Sequence, residues 1–174
     1  MNTLKNKFLF YPVILVVFST MVFATCKYSF KDVSPIPPEI KTFSLNAFDN
    51  RARYVNPQFA PQLTEQMRQK VISLTRLREV TGEMGDYDIS GYVSDYSVTT
   101  SGVANQQAGT NRLNVTFHLD FKDSQDAKKN FEADLTSNYD FNADLTLQQA
   151  EQQLGDKIVK NVSDAIFNRI FSNW

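Results

Sequence analysis

The chain has 174 residues, with 18 Lys and Arg against 19 Asp and Glu, one His and one Cys. So even a charge balance excludes the strongly basic surface that nucleic-acid binding requires. A single cysteine excludes an intramolecular disulfide.

The first 25 residues have the three-part pattern of an export signal. Lys5 and Lys7 lead, an apolar run from Phe8 to Phe23 follows, and no acidic residue precedes Cys26. Such a run is about as long as the shortest transmembrane helices, roughly 17 to 25 residues, so a retained anchor is the alternative to a cleaved signal. Pro12 within the run and the small residues at its end favour cleavage. The segment Phe23-Ala24-Thr25-Cys26 resembles the bacterial lipobox, in which the cysteine is acylated and becomes the mature N-terminus. The competing reading of Cys26 is a free thiol beside a membrane helix. A chain beginning at Cys26 has 149 residues, with 16 basic against 19 acidic side chains. That length suits one domain able to bury about two-thirds of its unfolded surface.

Residues 26 to 39 carry Pro35, Pro37 and Pro38 and read as a short extended tether. From Ile40 to Ala47, Phe43, Leu45 and Ala47 alternate with polar residues, which predicts a strand. Asn50 to Asn56 reads as a polar loop bearing Arg51 and Arg53. Asn56-Pro57 is a helix-start signal, although Pro61 places the entry at Ala60 or bends the first turn. Leu63, Met67, Val71 and Leu74 then define one buried helical face, with Gln62, Glu65, Gln69 and Lys70 toward water.

Leu77 to Val80 is a candidate short strand, and Gly82 with Gly85 marks a turn. Tyr87, Ile89, Gly91 and Val93 alternate with polar residues, but Tyr96 and Val98 take the opposite phase, which predicts a bulge near Ser94 and Asp95. After a glycine- and glutamine-rich connection from Thr100 to Thr110, Leu113, Val115, Phe117, Leu119 and Phe121 alternate strictly with polar residues. Phe131 to Phe141 repeats the pattern, so the two strands should form an antiparallel hairpin. Thr146 caps a last helix with Ala150, Leu154, Ile158, Val162, Ile166 and Ile170 at intervals of four and Val159 widening the stripe. The expected fold class is α+β, a two-layer sandwich in the order β-α-β-β-β-α. It has about four mostly antiparallel strands with two helices packed on one face.

Little in this pattern carries catalytic chemistry. His118 lies in phase with Asn114, Thr116 and Asp120 on the polar strand face, and no second histidine completes a zinc site. Acylation of Cys26 would exclude a cysteine–histidine nucleophile, and no Gly-x-Ser-x-Gly elbow or phosphate loop occurs. The carboxylates Asp86/Asp88 and Asp134/Asp140 read as solvated strand residues. The protein is read as a non-enzyme without cofactor or metal. Arg51/Arg53 and Lys128/Lys129 are small basic clusters suited to phosphate or carboxylate groups of a glycolipid. Phe167 and Phe171 read as core, and Trp174 as either core or a partner anchor.

Several segments together resemble the LptE family of lipopolysaccharide-assembly lipoproteins, in its Bacteroidetes form. They are Cys26-Lys27-Tyr28-Ser29-Phe30, Pro38-Glu39-Ile40-Lys41-Thr42-Phe43, Phe48-Asp49-Asn50-Arg51-Ala52, Asn111-Arg112-Leu113, Lys128-Lys129-Asn130-Phe131-Glu132 and Phe167-Asn168-Arg169-Ile170-Phe171-Ser172-Asn173-Trp174. The resemblance implies a signal peptide at 1 to 25, a lipidated N-terminus and tether at 26 to 39, and one LptE-like domain at 40 to 174. It further implies a membrane anchor of N-terminal acyl chains on Cys26 and a place inside the lumen of an LptD-type β-barrel. The protein would help that barrel assemble and help lipopolysaccharide reach the outer leaflet. Lys27, where an aspartate would signal inner-membrane retention, favours the periplasmic face of the outer membrane. The polar strand face of His118, Asp120, Glu132, Asp134 and Asn138 is the expected barrel contact. From charge alone, Arg51, Arg53, Arg112, Lys128 and Lys129 are the expected lipopolysaccharide contacts. The alternative function is a periplasmic lipoprotein adaptor that activates a cell-wall synthase or helps assemble a secretion pore.

Overall fold

The alternation around Leu113 to Phe121 produces a strand buried on one side along its whole length, and this strand holds the sheet together. The computed structural model describes residues 36–101 and 109–172, all within one compact unit, Lys31–Trp174. The export signal, Cys26, most of the tether, residues 102–108 of the glycine-rich connection and Trp174 lie outside the described residues. The elements run β1 (Thr42–Leu45), β2 (Asp49–Asn50), α1 (Phe59–Leu74), β3 (Arg78–Glu79), β4 (Tyr87–Ser101), β5 (Thr110–Asp123), β6 (Phe131–Asn142) and α2 (Leu147–Phe171).

The sheet is open and has six strands, not about four, in the order β3-β1-β4-β5-β6 with β2 alongside β4. The chain order is therefore β-β-α-β-β-β-β-α. Only the β4–β5 and β5–β6 pairings are antiparallel. β1 runs parallel to β3 and β4, and β2 runs parallel to β4. This mixture follows from connectivity, because helix α1 carries the chain from one end of the sheet back to the other, so the strands on either side of it point the same way. Strands β2 and β3 are two residues each, too short for a period of two to stand out in sequence.

The register of β4 on β5 shifts between Val93 and Asp95, the bulge that the change of phase predicts. It keeps Tyr96 in the core beside Val115, and Phe59 of α1 packs against the Tyr96 ring at 5.7 Å. The β5–β6 hairpin is in unbroken register from Thr110↔Asn142 to Phe121↔Phe131. Gly91 sits on the inner side of β4. A Cβ there would lie 2.6 Å from the Phe117 ring and 2.3 Å from the His118 carbonyl oxygen, so only glycine lets that ring cross the strand. Phe48 closes over the same ring edge-on at 4.7 Å.

The first strand is shorter than expected. Pairing stops at Leu45, Ala47 is exposed and Phe48 is buried, its N–H held by the buried hydroxyl of Thr64 on α1 at 3.0 Å. That hydroxyl in turn donates to the Ala60 carbonyl. Asn56 does not cap α1. Its side chain accepts the Gln58 N–H at 3.0 Å, closing a turn, and the helix begins at Phe59 with Pro61 in the first turn, where its missing N–H costs nothing. Leu63, Met67 and Val71 are fully buried as expected. Lys70 is not simply turned to water: its ammonium pairs with Asp164 of α2, which also binds Lys160 at 2.9 Å. Helix α2 opens with a complete capping box, the Thr146 hydroxyl taking the Gln149 N–H and the Gln149 side chain taking the Thr146 N–H. Both helices pack on the inner face, where Phe167 and Phe171 are buried and Phe171 lies 6.2 Å from Tyr87.

The start of β1 is tied to the start of β4 by one carboxylate. Asp86 accepts the N–H groups of Lys41 and Thr42 and the Thr42 hydroxyl, each at 2.9 Å. The Asp86 N–H donates back to that hydroxyl at 3.0 Å. These bonds, the Lys41 N–H foremost, hold the Asp86 carboxyl below its ordinary value. A lowered carboxyl stabilises the fold above the unfolded-state pKa, about 4, and the contribution disappears as pH falls through the lower folded value. The Asp86→Asn variant should therefore unfold at lower urea than the parent at pH 7, and the gap should narrow when the pH is taken well below the ordinary carboxyl value of about 4. A gap of equal size at both pH values would contradict the clamp.

Candidate functional site

The face of the sheet away from the helices is built in rows, because β4, β5 and β6 expose the same parity of residue along their shared register. Ser90, Asp120 and Glu132 form one row, Tyr92, His118 and Asp134 the next, followed by Asp95, Thr116 and Thr136. Ser97, Asn114 and Asn138 come after, and Thr99, Arg112 and Asp140 form the last. All five polar-face residues named from sequence thus lie on one surface. Asp120, His118, Glu132 and Asp134 fill two adjacent rows, and Asn138 lies two rows farther along, beyond Thr136.

Most of this surface is paired across the strands. His118 is the hub, with Nδ1 at 2.7 Å from Asp134 and Nε2 at 3.6 Å from Glu132. Lys122 lies 3.1 Å from Asp120, and the Thr116 and Thr136 hydroxyls bond at 3.0 Å. Arg112 grips Asp140 through two hydrogen bonds of 2.7 and 3.0 Å, and these hold the Asp140 carboxyl below its usual range. Asn138 stands opposite Asn114, whose amide donates to Thr99. Glu132 and Asp134 are 70% and 66% exposed, so water solvates these carboxylates and no buried acid–base pair forms. Among the described residues no cluster of His, Cys, Asp and Glu could hold a metal ion. The arrangement is a polar surface carrying charges of both signs.

The five basic residues named from sequence do not gather. Arg51 lies beside the middle of the face, its guanidinium 4.1 Å above the Tyr92 ring and its Nη2 3.4 Å from Asp49. Arg112 lies at one end of β5. Lys128 and Lys129 sit on the 3-10 turn Ala127–Lys129 beyond the other end, roughly 35 Å away at about 3.3 Å per residue. Lys129 lies 3.8 Å from Asp123 and 4.0 Å from Asp126. Arg53 and Lys128 are exposed, and their side chains have no ion pair among the described residues.

Sequence reasoning missed Tyr92. Its ring lies 4.9 Å from His118 and under Arg51, so cation, phenol and imidazole are layered along one edge of the face. A depression of about 390 Å³ opens there, lined by Asn46, Asp49, Arg51, Tyr92, His118 and Glu132 among others. The signal for Tyr92 was available, since it shares the phase of Asp88 and Ser90 and is the one aromatic residue on the polar side of β4. The positioning of Arg51 was not: it depends on β2, whose pairing continues as the Arg51 N–H donates to the Val93 carbonyl at 2.9 Å.

Comparison with known proteins gives the family. Residues 40–170 match the LptE family, described as lipopolysaccharide-assembly. Solved structures that resemble the chain include a minor lipoprotein from Acinetobacter baumannii, 16% identical, TM-score 0.49, covering 76% of this chain and 93% of that one. The PelC dodecamer subunit from Paraburkholderia phytofirmans is 12% identical, TM-score 0.45, covering 81% and 94%. The rare lipoprotein B from Shewanella oneidensis is 11% identical, TM-score 0.42, covering 73% and 92%. No curated protein matches the sequence. Because the family match covers well over half of the residues, the chain belongs to the LptE family, non-catalytic outer-membrane lipoproteins of lipopolysaccharide assembly.

Proposed function

We propose that this protein plugs the lumen of an LptD-type β-barrel, helps it assemble and assists lipopolysaccharide delivery to the outer leaflet, with the β4–β6 polar face against the barrel wall. In this reading residues 1 to 25 are removed, Cys26 carries the acyl chains, and residues 26 to 39 tether the domain to the membrane. One observation carries the proposal: every outward row of β5 and β6 is polar, and most of its charged side chains have a partner within the face, Arg112 with Asp140, His118 with Asp134 and Lys122 with Asp120. The interior of a wide membrane barrel is also polar and can be filled by another element. A plug for such a lumen needs a broad hydrophilic surface that costs little to bring against another hydrophilic wall. Internally paired charges meet that need, because their partners remain in place when water is excluded.

For lipopolysaccharide, Arg53 and Lys128 are the most available cations, since Arg51, Arg112 and Lys129 are already near carboxylates of this chain. A phosphate group would have to compete with those carboxylates. The scatter of the five cations suits successive contacts along a path better than one pocket. The family match favours this reading over the synthase or secretion-pore adaptor.

Three alleles expressed in the protein's own cells separate the parts of the proposal. Reversing Asp120, Glu132 and Asp134 to Lys together should cut co-purification of the barrel severalfold while lipidation continues; unchanged capture would move the contact to the loops and helix ends. Neutralising Arg51, Arg53, Arg112, Lys128 and Lys129 should weaken lipopolysaccharide binding by the purified protein, and wild-type binding would remove those residues from the site. Cys26→Ala should abolish the mass of the acyl chains and release the protein from membranes; retention through residues 8 to 23 would mean an uncleaved anchor.

A further inference from the structure

Strand β6 is the last in the sheet order, paired through its whole length with β5 on one side and, among the described residues, with no strand on the other. It is twelve residues long, whereas the opposite edge strand, β3, has two. Long edges are normally blunted by proline, lysine, a bulge or a covering element. Strand β6 contains no proline, glycine, lysine or arginine, and its register with β5 has no irregularity. Among the described residues, no backbone hydrogen bond beyond that pairing reaches Phe131 to Phe141.

The two rows of side chains flanking this edge differ sharply. The outer row carries Glu132, Asp134 and Asp140, all more than half exposed. On the inner row Phe131, Ala133 and Leu135 are only half-buried, while Tyr139 and Phe141 farther along are covered. Arg169 of α2 reaches over the Phe131 ring at 4.8 Å, so the helix layer extends to the edge without closing it. A further strand laid here would have an acidic row above it and an unfinished apolar row below.

A second copy fits poorly. The two antiparallel self-pairings that use the whole strand and keep the apolar row on one side set Asp140 opposite either Glu132 or Asp134. Like charges directly opposite are destabilising. The geometry points to β6 as a docking edge for an extended segment of a partner protein in which Lys or Arg alternates with apolar residues. Its main-chain bonds would continue the sheet, its cations would face the carboxylates, and its apolar residues would cover Phe131 and Leu135. This inference shares the outer-row carboxylates with the plug reading but stands on the strand's free main chain and its half-covered apolar row, which that reading does not use.

The test uses the full chain in detergent and a synthetic peptide of alternating lysine and valine long enough to span β6. Binding should slow hydrogen exchange at alternate amides of residues 131–142. Affinity should fall about tenfold or more in the Glu132→Lys/Asp134→Lys variant and again at high salt. Ala133→Lys, which places an ammonium on the half-covered apolar row at an exposed edge, should weaken binding similarly. A glutamate–valine peptide should bind only the charge-reversed variant. Equal affinity for a peptide of the same composition with lysines and valines in separate blocks, or binding without alternate-amide protection, would overturn the inference. Barrel capture unaffected by Ala133→Lys would leave the plug reading intact while the edge is judged by the peptide alone.

Discussion

Strand β5 has neighbours on both edges and helices on one side, so its side chains are divided by parity. Leu113, Val115, Phe117 and Leu119 have no exposed surface, while Arg112, Asn114, Thr116, His118 and Asp120 must lie on the other face. A shift of one residue would bury five polar side chains and expose a row of large apolar ones, a cost no local contact offsets. The partners inherit this constraint. Strand β6 reproduces the parity through an unbroken register, and β4 restores it with a bulge after Val93. Gly91 is the local concession, since the Phe117 ring needs the space of its missing Cβ.

The same constraint generates the polar outer face. Once the parity of β5 is set, His118 must face Asp134, Asp120 must face Glu132, and Arg112 must face Asp140. Arg112 therefore meets Asp140 and His118 meets Asp134 without any loop having to place them, while Asp120 and Glu132 face each other as like charges, with Lys122 beside Asp120. The helices have a different task. Thr64 of α1 holds the Phe48 N–H, and through it the stretch that carries β2 and brings Arg51 over Tyr92. The Lys70–Asp164–Lys160 group joins the two helices on their solvent side.

Much of this was legible in the sequence because parity is. The β5–β6 hairpin, the bulge in β4 and the placing of five polar residues on one face follow from period-two spacing, and Thr146 was legible as a cap ahead of the period-four stripe of α2. What was not legible came from pairings with no local period. Strands β2 and β3 are two residues each and exist only because β4 and β1 lie beside them. Asn56 satisfies a turn before the helix it was expected to cap. Lys70 was assigned to water because its ion-pair partner is 94 residues away. The basic residues looked like one set on charge alone, yet the long β5 separates Arg112 from Lys128 and Lys129. Tyr92 was overlooked because an aromatic residue in a strand is ordinarily taken as core.

Membership of the LptE family leads to one account, a non-catalytic outer-membrane lipoprotein of lipopolysaccharide assembly, with the polar sheet face proposed as its contact surface. Depletion of the protein in its own cells tests this most directly, with surface lipopolysaccharide and the mature form of the partner barrel measured together. The account predicts that both decline. Normal surface lipopolysaccharide with a normally matured barrel would contradict it.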